Sequence, residues 1–361
     1  MRKIGAILTG LGIGAAALSA AAAPALAESA MDFYKGKRIY LKIGSQTGGG
    51  YDTIGRAIAR YMDKHIPGNP KIIVQNIPGG GSLRMMNQIY NTGKKDGSEF
   101  GLGSSGMPTT PLLNPKAAKF DPQKLLWIGS PTQIVEILMV SDKSTVQTLE
   151  DIYTKELIIG ATSPGSATLD FPYITNAISG TKFKIVAGYK GAGGVGLAMQ
   201  RGEVFGIAGF ALASLNSSRW KSLKEKGVVK ILAQFGFKRS KRLPDVPLFK
   251  LPDNEADLQI IRILYSRMQY GRPFFVIPGV PSDRVAALRS AFAATMKDKG
   301  FLDQADKLKL FIDPSTPEEL AALTKQLYST PKSVVERLVD LTDRMRQENR
   351  KKKKTKQKKQ N

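Results

Sequence analysis

The feature that most restricts this chain is a repeated order of segments: an apolar run, a glycine-rich loop, then a stretch of helical periodicity. "RIYLKIGS" (38–45) reads as a buried strand leading into Thr47-Gly48-Gly49-Gly50, after which residues 53–66 place Ile54, Ala57, Ile58, Tyr61, Met62 and His65 on one helical face. A second strand, "KIIVQNI" (71–77), leads to Pro78-Gly79-Gly80-Gly81-Ser82 and a short helix carrying Leu83, Met86, Ile89 and Tyr90; "EFGLGSS" (99–105) is a third. This is a βαβαβ unit, so its strands are expected to be parallel and its loops to gather at their carboxyl ends.

The order then repeats. "ELIIGAT" (156–162) precedes Ser163-Pro164-Gly165-Ser166 and a helix near 168–178; "KFKIVAGYK" (182–190) precedes Gly191-Ala192-Gly193-Gly194-Val195-Gly196 and a short helix; "FGIAGF" (205–210) follows. Two α/β lobes are therefore expected, joined by "SPTQIVEILMVS" (130–141) and "VVKILAQFGFK" (228–238) as crossing strands. The first lobe would comprise 28–130 and 239–349, the second 131–238. A further strand is expected at 273–279, amphipathic helices at 281–298 and 317–328, and a last helix at 331–349 that packs on the first lobe or projects from it.

With 361 residues and 42% hydrophobic content, the chain can build two cores. Its start has Arg2 and Lys3, an uncharged Ala/Gly-rich run, and Ala25-Leu26-Ala27 before Glu28, the layout of an export signal cleaved after Ala27. The alternative is an uncleaved anchor, which the length of the run allows. The absence of cysteine removes thiolate metal sites and thiol nucleophiles. Of the net charge of +24, eight positive charges lie in Arg350 to Lys359 and two in the signal, which leaves +14 spread along the body. That spread lacks the interleaved aromatics of a nucleic-acid groove, so no nucleic-acid partner is expected. The basic end, 350–361, reads as a solvated, disordered tail, with an electrostatic tether to an anionic surface as the alternative.

Glycine loops between strands and helices let a ligand approach the main chain, and each helix start offers free N–H donors and partial positive charge. Any one such loop is usually only a turn, but several at equivalent ends of two lobes describe a shared anion-binding cleft. Asp52 can cap the first helix or face a ligand donor, and both roles are compatible; Ser82 and Ser166 are likewise caps or ligand donors. Enzyme readings are poor. The run Gly191–Gly196 matches G-x-G-x-x-G, yet no acidic residue lies between Glu203 and Glu225 to hold a ribose. His65, the single histidine, reads as packed on an apolar helix face. No catalytic residue, metal or cofactor is expected.

Several motifs, in order, resemble those of the extracytoplasmic solute receptors of tripartite tricarboxylate transporters, the TctC-like or Bug receptors. They are Gly49-Gly50-Tyr51-Asp52 (Gly48-Gly49 also fits), Gly68-Asn69-Pro70, Asn76-Ile77-Pro78-Gly79-Gly80-Gly81-Ser82, Asp96-Gly97, Tyr189-Lys190-Gly191 and Leu243-Pro244-Asp245-Val246-Pro247. The resemblance covers about residues 33–330. It implies a two-lobed periplasmic-binding-protein fold (type II, Venus flytrap), each lobe a mixed, mostly parallel sheet flanked by helices. It also implies a small carboxylate ligand held by main-chain and hydroxyl donors, a periplasmic monomer, and delivery to membrane permease subunits. By position the ligand contacts would be Thr47, Gly48, Gly49, Tyr51, Asp52, Gly80, Gly81, Ser82 and Ser105 from the first lobe. Thr162, Ser163, Gly165, Ser166, Gly191 and Phe210 would come from the second. The glycine-rich loop after Lys190, the length of 253–272 and the lysine tail depart from the pattern. A binding module serving a signalling partner would use the same pocket.

Overall fold

The computed structural model describes residues 28–162, 165–216 and 218–358. The expected export signal (1–27), Ser163 and the last three residues of the basic tail lie outside them.

The strands are β1 (Arg38–Ile43), β2 (Lys71–Asn76), β3 (Glu99–Leu102), β4 (Leu126–Gly129), β5 (Glu136–Ser141), β6 (Leu157–Ala161), β7 (Phe183–Ala187), β8 (Gly206–Ala211), β9 (Val229–Gln234) and β10 (Phe274–Val276). They form two five-stranded sheets of matching design, ordered β2-β1-β3-β10-β4 and β7-β6-β8-β5-β9. In each, the strands of the βαβαβ unit are parallel, as β1 with β2 and β3, and β6 with β7 and β8. One antiparallel strand is inserted beside them: β10 between β3 and β4, and β5 between β8 and β9. Each inserted strand is the first that the chain lays down after arriving from the other sheet. The two-lobed α/β architecture read from the glycine-loop repeat is thus present, and the loops after β1, β2 and β3 lie at one edge of their sheet.

The alternation in β1 explains its place: Ile39, Leu41 and Ile43 are buried while Arg38, Tyr40 and Lys42 keep solvent contact. β5, buried along its whole length, has helices on one face and a second apolar cluster around Trp220 on the other. Residues 130–135 link the sheets without strand structure, so only the second half of the 130–141 segment is strand. The return passes from β9 through the helix Glu255–Tyr270 to β10. Tyr265 on that helix stacks on Phe171 of the second lobe at 5.6 Å, and Phe171 meets Phe235 edge-on at 5.0 Å. These rings fix the helix end that carries Arg267.

Three sequence-based expectations change. The first helix begins at Gly50, three residues early, and ends at Met62. His65 therefore lies in a short turn beyond it, with Nε2 2.8 Å from Asp298 Oδ2, rather than on an apolar helix face. The last helix runs Lys332–Lys358, so most of the basic tail has helical backbone instead of disorder. That stretch contains neither glycine nor proline, and lysine propagates an established helix well. Its Val334 and Leu338 join the main core, while Met345 packs on Ala161 and Leu169 of the second lobe. Among the described residues no helix is long and apolar enough to cross a membrane.

Candidate ligand-binding site

The first loop is organised by Asp52. Gly48, with φ of +81°, turns its N–H to Asp52 Oδ2 at 2.8 Å, and Oδ1 accepts from Arg56 Nε and Asn76 Nδ2, both at 2.9 Å. The carboxylate is 3% exposed, and burial alone would raise its pKa; its bonds to Arg56, Gly48 and Asn76 outweigh that and hold it below the ordinary range. Asp52 therefore shapes the loop, with both carboxylate oxygens already hydrogen-bonded, and presents no donor to a ligand.

The second and third loops are tied to the first. Ser82, in left-handed backbone at φ 77°, donates its hydroxyl to Gly44 O at 3.0 Å and accepts from Ser104 N–H at 2.9 Å. Ser104 in turn donates to Gly81 O at 2.6 Å. Ser82 is buried and neither caps its helix nor offers a ready ligand donor. Tyr51 accepts from Ser105 N–H at 2.9 Å and lies 3.4 Å from Gly271 O. Thr47, Gly48, Gly49, Gly80 and Gly81 remain exposed around this frame.

In the second lobe the device recurs. Gly165 N–H donates to Asp170 Oδ1 at 3.0 Å, while Thr162 Oγ1 meets Ser166 Oγ at 2.6 Å and Thr168 Oγ1 at 2.8 Å. Gly188 N–H donates to Thr162 O at 2.8 Å, bringing the loop before Gly191 alongside. Phe210 is buried with its ring 4.7 Å from that of Trp220, so the core holds its side chain and leaves only its backbone for a ligand.

The helices Gly50–Met62, Leu83–Thr92, Ala167–Ser179 and Gly191–Gln200 all start from these loops, and none has a bond from its N-cap side chain. By contrast, Asn254, Asp298 and Thr316 cap helices elsewhere. At Leu83–Thr92 the first donors are taken up locally, Leu83 N–H by Gly80 O and Arg84 N–H by Gly79 O, so it is the uncapped starts of the other three helices that leave N–H donors for an external acceptor.

Three charged residues complete the site, and the sequence reading missed them. Arg272, before β10, donates to Gly50 O and lies 5.3 Å from the Tyr51 ring; its buried Nε has no hydrogen-bond partner among the described residues. Burial lowers its pKa. Arg267 Nη1 donates to Asp170 Oδ2 and its Nη2 to Gly165 O, each at 3.1 Å, and its guanidinium borders Gly106 of the third loop. It thus joins the loops of the two lobes. Glu136, at the start of β5, is 6% exposed, and its Oε2 has no hydrogen-bond partner among the described residues. Burial pushes its pKa up to about 8 although Arg267 opposes the shift. Burial also raises that of Asp170 despite Arg267. The available signals were faint: a lone carboxylate in "QIVEILMV", and two arginines flanking "MQYG" before a strand. Among the described residues no cluster of His, Cys, Asp or Glu could hold a metal.

Two α/β lobes, with Arg267 tying Gly165 and Asp170 of one to Gly106 of the other, give the chain a two-lobed, periplasmic-binding-protein type of fold. Comparison with known proteins agrees. No family model matches the chain. It is 27% identical over 340 residues to "UPF0065 protein in gbd 5'region" of Cupriavidus necator, covering 91% of this chain and 95% of that one. A TctC solute-binding protein from Polaromonas superposes with a TM-score of 0.64 at 21% identity, covering 84% of this chain and 99% of the other. MatC from Rhodopseudomonas palustris, solved with bound malate, superposes with a TM-score of 0.58 at 18% identity, covering 84% and 99%. The chain has the fold of the TctC and Bug solute-binding proteins, as its loop motifs suggested.

The buried carboxylate has a measurable consequence. Glu136 has a folded-state pKa of about 8 against an ordinary 4.5, so its uncharged form is the compatible one. Its contribution to stability is complete below pH ~4.5 and is lost as pH rises toward 8. Glu136→Gln should therefore gain stability relative to the parent between pH 5 and 8 in denaturant melts. A constant difference across that range would show that Glu136 does not titrate there.

Proposed function

We propose that this protein is an exported receptor of the TctC and Bug type that captures a small organic carboxylate between its lobes and presents it to membrane permease subunits. The observation that carries this reading is the convergence of uncapped helix starts with Arg272 and Arg267. Backbone donors and two partly buried cations suit a carboxylate, and the MatC structure, which shares the fold, holds malate. The exposed candidates are Thr47, Gly48, Gly49, Gly80, Gly81, Gly165 and Gly191, with Thr162 and Ser166 beside them; Ser163 lies outside the described residues. Tyr51, Asp52, Ser82 and Ser105 hold the loops in shape. Binding without chemistry, in a periplasmic monomer whose signal is removed after Ala27, completes the reading.

One carboxylate docks on one lobe, and donors from the other complete its shell as the lobes approach. Each charge-assisted bond contributes about 1.5–3 kcal/mol, so two or three shift the closing equilibrium decisively.

Thermal melts of the exported chain against mono-, di- and tricarboxylates test the ligand class. At ~100 times its dissociation constant a ligand adds about 2.7 kcal/mol of stability. A rise confined to one class of acid names the ligand, and a flat response to every acid would remove the carboxylate assignment.

Gly49→Asp tests the site. Gly49 is an N-cap with φ −78° and ψ 167°, and a Cβ there meets only Gln46 O at 3.4 Å, so the backbone accepts the change. The new carboxylate would cap the helix and occupy the anion position. Melting should hold or rise slightly while carboxylate affinity falls at least tenfold. Unchanged affinity would take this loop out of the site.

A further inference from the structure

A cavity of about 820 Å³ lies beside the segments that connect the lobes. Its walls come from residues 133–135 of the outward link, 234–242 after β9, the end of the helix Glu255–Tyr270, and 311–326 of the first lobe. None of the glycine-loop residues lines it.

Along one side runs Lys238-Arg239-Ser240-Lys241-Arg242, placing four cations on five residues. Among the described residues none of the four forms an ion pair. The carboxylates in the lining are Asp313 and Glu319, and Glu319 Oε2 already accepts from Thr316 N–H at 2.9 Å to cap its own helix. The cations therefore outnumber the carboxylates two to one. Arg242 lies 4.5 Å from the ring of Phe311, and burial lowers its pKa, as expected for a cation drawn from water without a counter-charge. Phe237 and Phe311 are 41% and 40% exposed beside the cavity.

The loop is held in shape from beneath. Gln234 is 1% exposed; its Nε2 donates to Leu243 O at 2.8 Å and Val246 O at 2.7 Å, and its Oε1 accepts from Ser240 N–H at 2.7 Å. Ser240 Oγ accepts from Arg242 N–H at 3.2 Å. A buried amide that satisfies three backbone groups fixes the path of the chain, so the four cations sit on a preorganised arc and not on a loose tail. Like charges this dense repel one another, and an anion between them relieves that cost. A cavity of this size matches those that hold small molecules.

We propose that this hinge-side cavity is a second anion-binding site, separate from the interlobe cleft, for a small molecule carrying two or more negative charges as carboxylates or phosphates. Arg239 and Arg242 are its principal ligands, with Lys238 and Lys241 adding charge at the rim. Arg239 Nη1 also donates to Pro244 O at 3.1 Å, and none of the four cations has a carboxylate partner among the described residues, which leaves their charge for an anion.

The test is calorimetric titration of the full chain with inorganic triphosphate and, separately, with citrate. Saturable one-to-one binding is expected with at least one of them. Arg239→Gln/Arg242→Gln should weaken it at least tenfold, and Lys238→Gln/Lys241→Gln should weaken it by a smaller factor. The charge-matched control Lys221→Gln/Lys226→Gln should leave it unchanged, and binding to the basic C-terminal run would survive all three pairs. In Gly49→Asp the triphosphate response should persist, so failure of the cleft assignment and failure of this one are read separately. Response to triphosphate alone identifies phosphate as the recognised group, and response to citrate alone identifies carboxylate. The proposal is overturned by the absence of saturable binding to either probe, or by equal affinity in the arginine pair and the control. It is equally overturned if the citrate response is the only one seen and disappears in Gly49→Asp.

Discussion

A carboxylate in the opening turn of a helix, reaching back to the amide of a glycine before that helix, is the interaction on which both halves of the cleft depend. Asp52 does this for Gly48, and Asp170 for Gly165. The bond satisfies one amide and fixes the turn, and it places a negative group near the positive end of the helix, where it is stabilised. Because the carboxylate does the work from inside the helix, the N-cap position is left to Gly49 in one lobe and Ser166 in the other. The loop is then rigid while the outermost N–H groups of the helix start are not occupied by a cap bond.

The two lobes differ in where the counter-charge comes from, and the difference matters for how they work together. Asp52 is neutralised from its own helix by Arg56, four residues on, so the first loop is complete within its lobe. Asp170 is neutralised by Arg267, which arrives on the helix that returns to the first lobe. The opposite directions of their pKa shifts follow: hydrogen bonds prevail at Asp52, and burial prevails at Asp170. The loop of the second lobe thus takes its hydrogen-bonded counter-charge from that returning helix, with a further electrostatic contribution from Arg346 on the last helix. Arg267 also acts electrostatically on Glu136, opposing a burial effect that prevails and favours the uncharged acid.

Much of this was legible in the sequence. The order strand, glycine loop, helix is set by local chemistry: β-branched runs, glycines that accept positive φ, and 3.6-residue periodicity. It therefore gave the βαβαβ units and the two lobes. What could not be read was which polar group meets which across the fold. Ser82 looked like a helix cap, yet its hydroxyl bridges Gly44 and Ser104, residues 38 and 22 positions away. Phe210 sits at the end of a strand that feeds the cleft, but strand alternation turns its ring toward Trp220. Glu136, Arg267 and Arg272 lie in segments without a motif, and only the meeting of β5, the returning helix and β10 gives them a role. Helix boundaries were misjudged for a simpler reason: Gly50 was counted as loop although a glycine can occupy the first turn.

The contacts that span the lobes define the free-energy scale of their motion. Arg267 bonds to Asp170 and Gly165 near the connecting segments, and the last helix adds a second bridge. On that helix Arg337 pairs with Asp257 at 2.6 Å on the first-lobe side, while Tyr173 of the second lobe donates to Glu348 at 3.1 Å and Met345 packs on Ala161 and Leu169. Separating the lobes at either place would break a few charge-assisted bonds, worth about 1.5–3 kcal/mol each before water replaces them, and would also expose apolar surface, since Tyr265 stacks on Phe171 and Met345 packs on Ala161 and Leu169. A bound anion that makes two or three such bonds acts on the same scale. In the proposed receptor, a small ligand would move the balance between separated and apposed lobes only through contacts made to both lobes together and not to one alone.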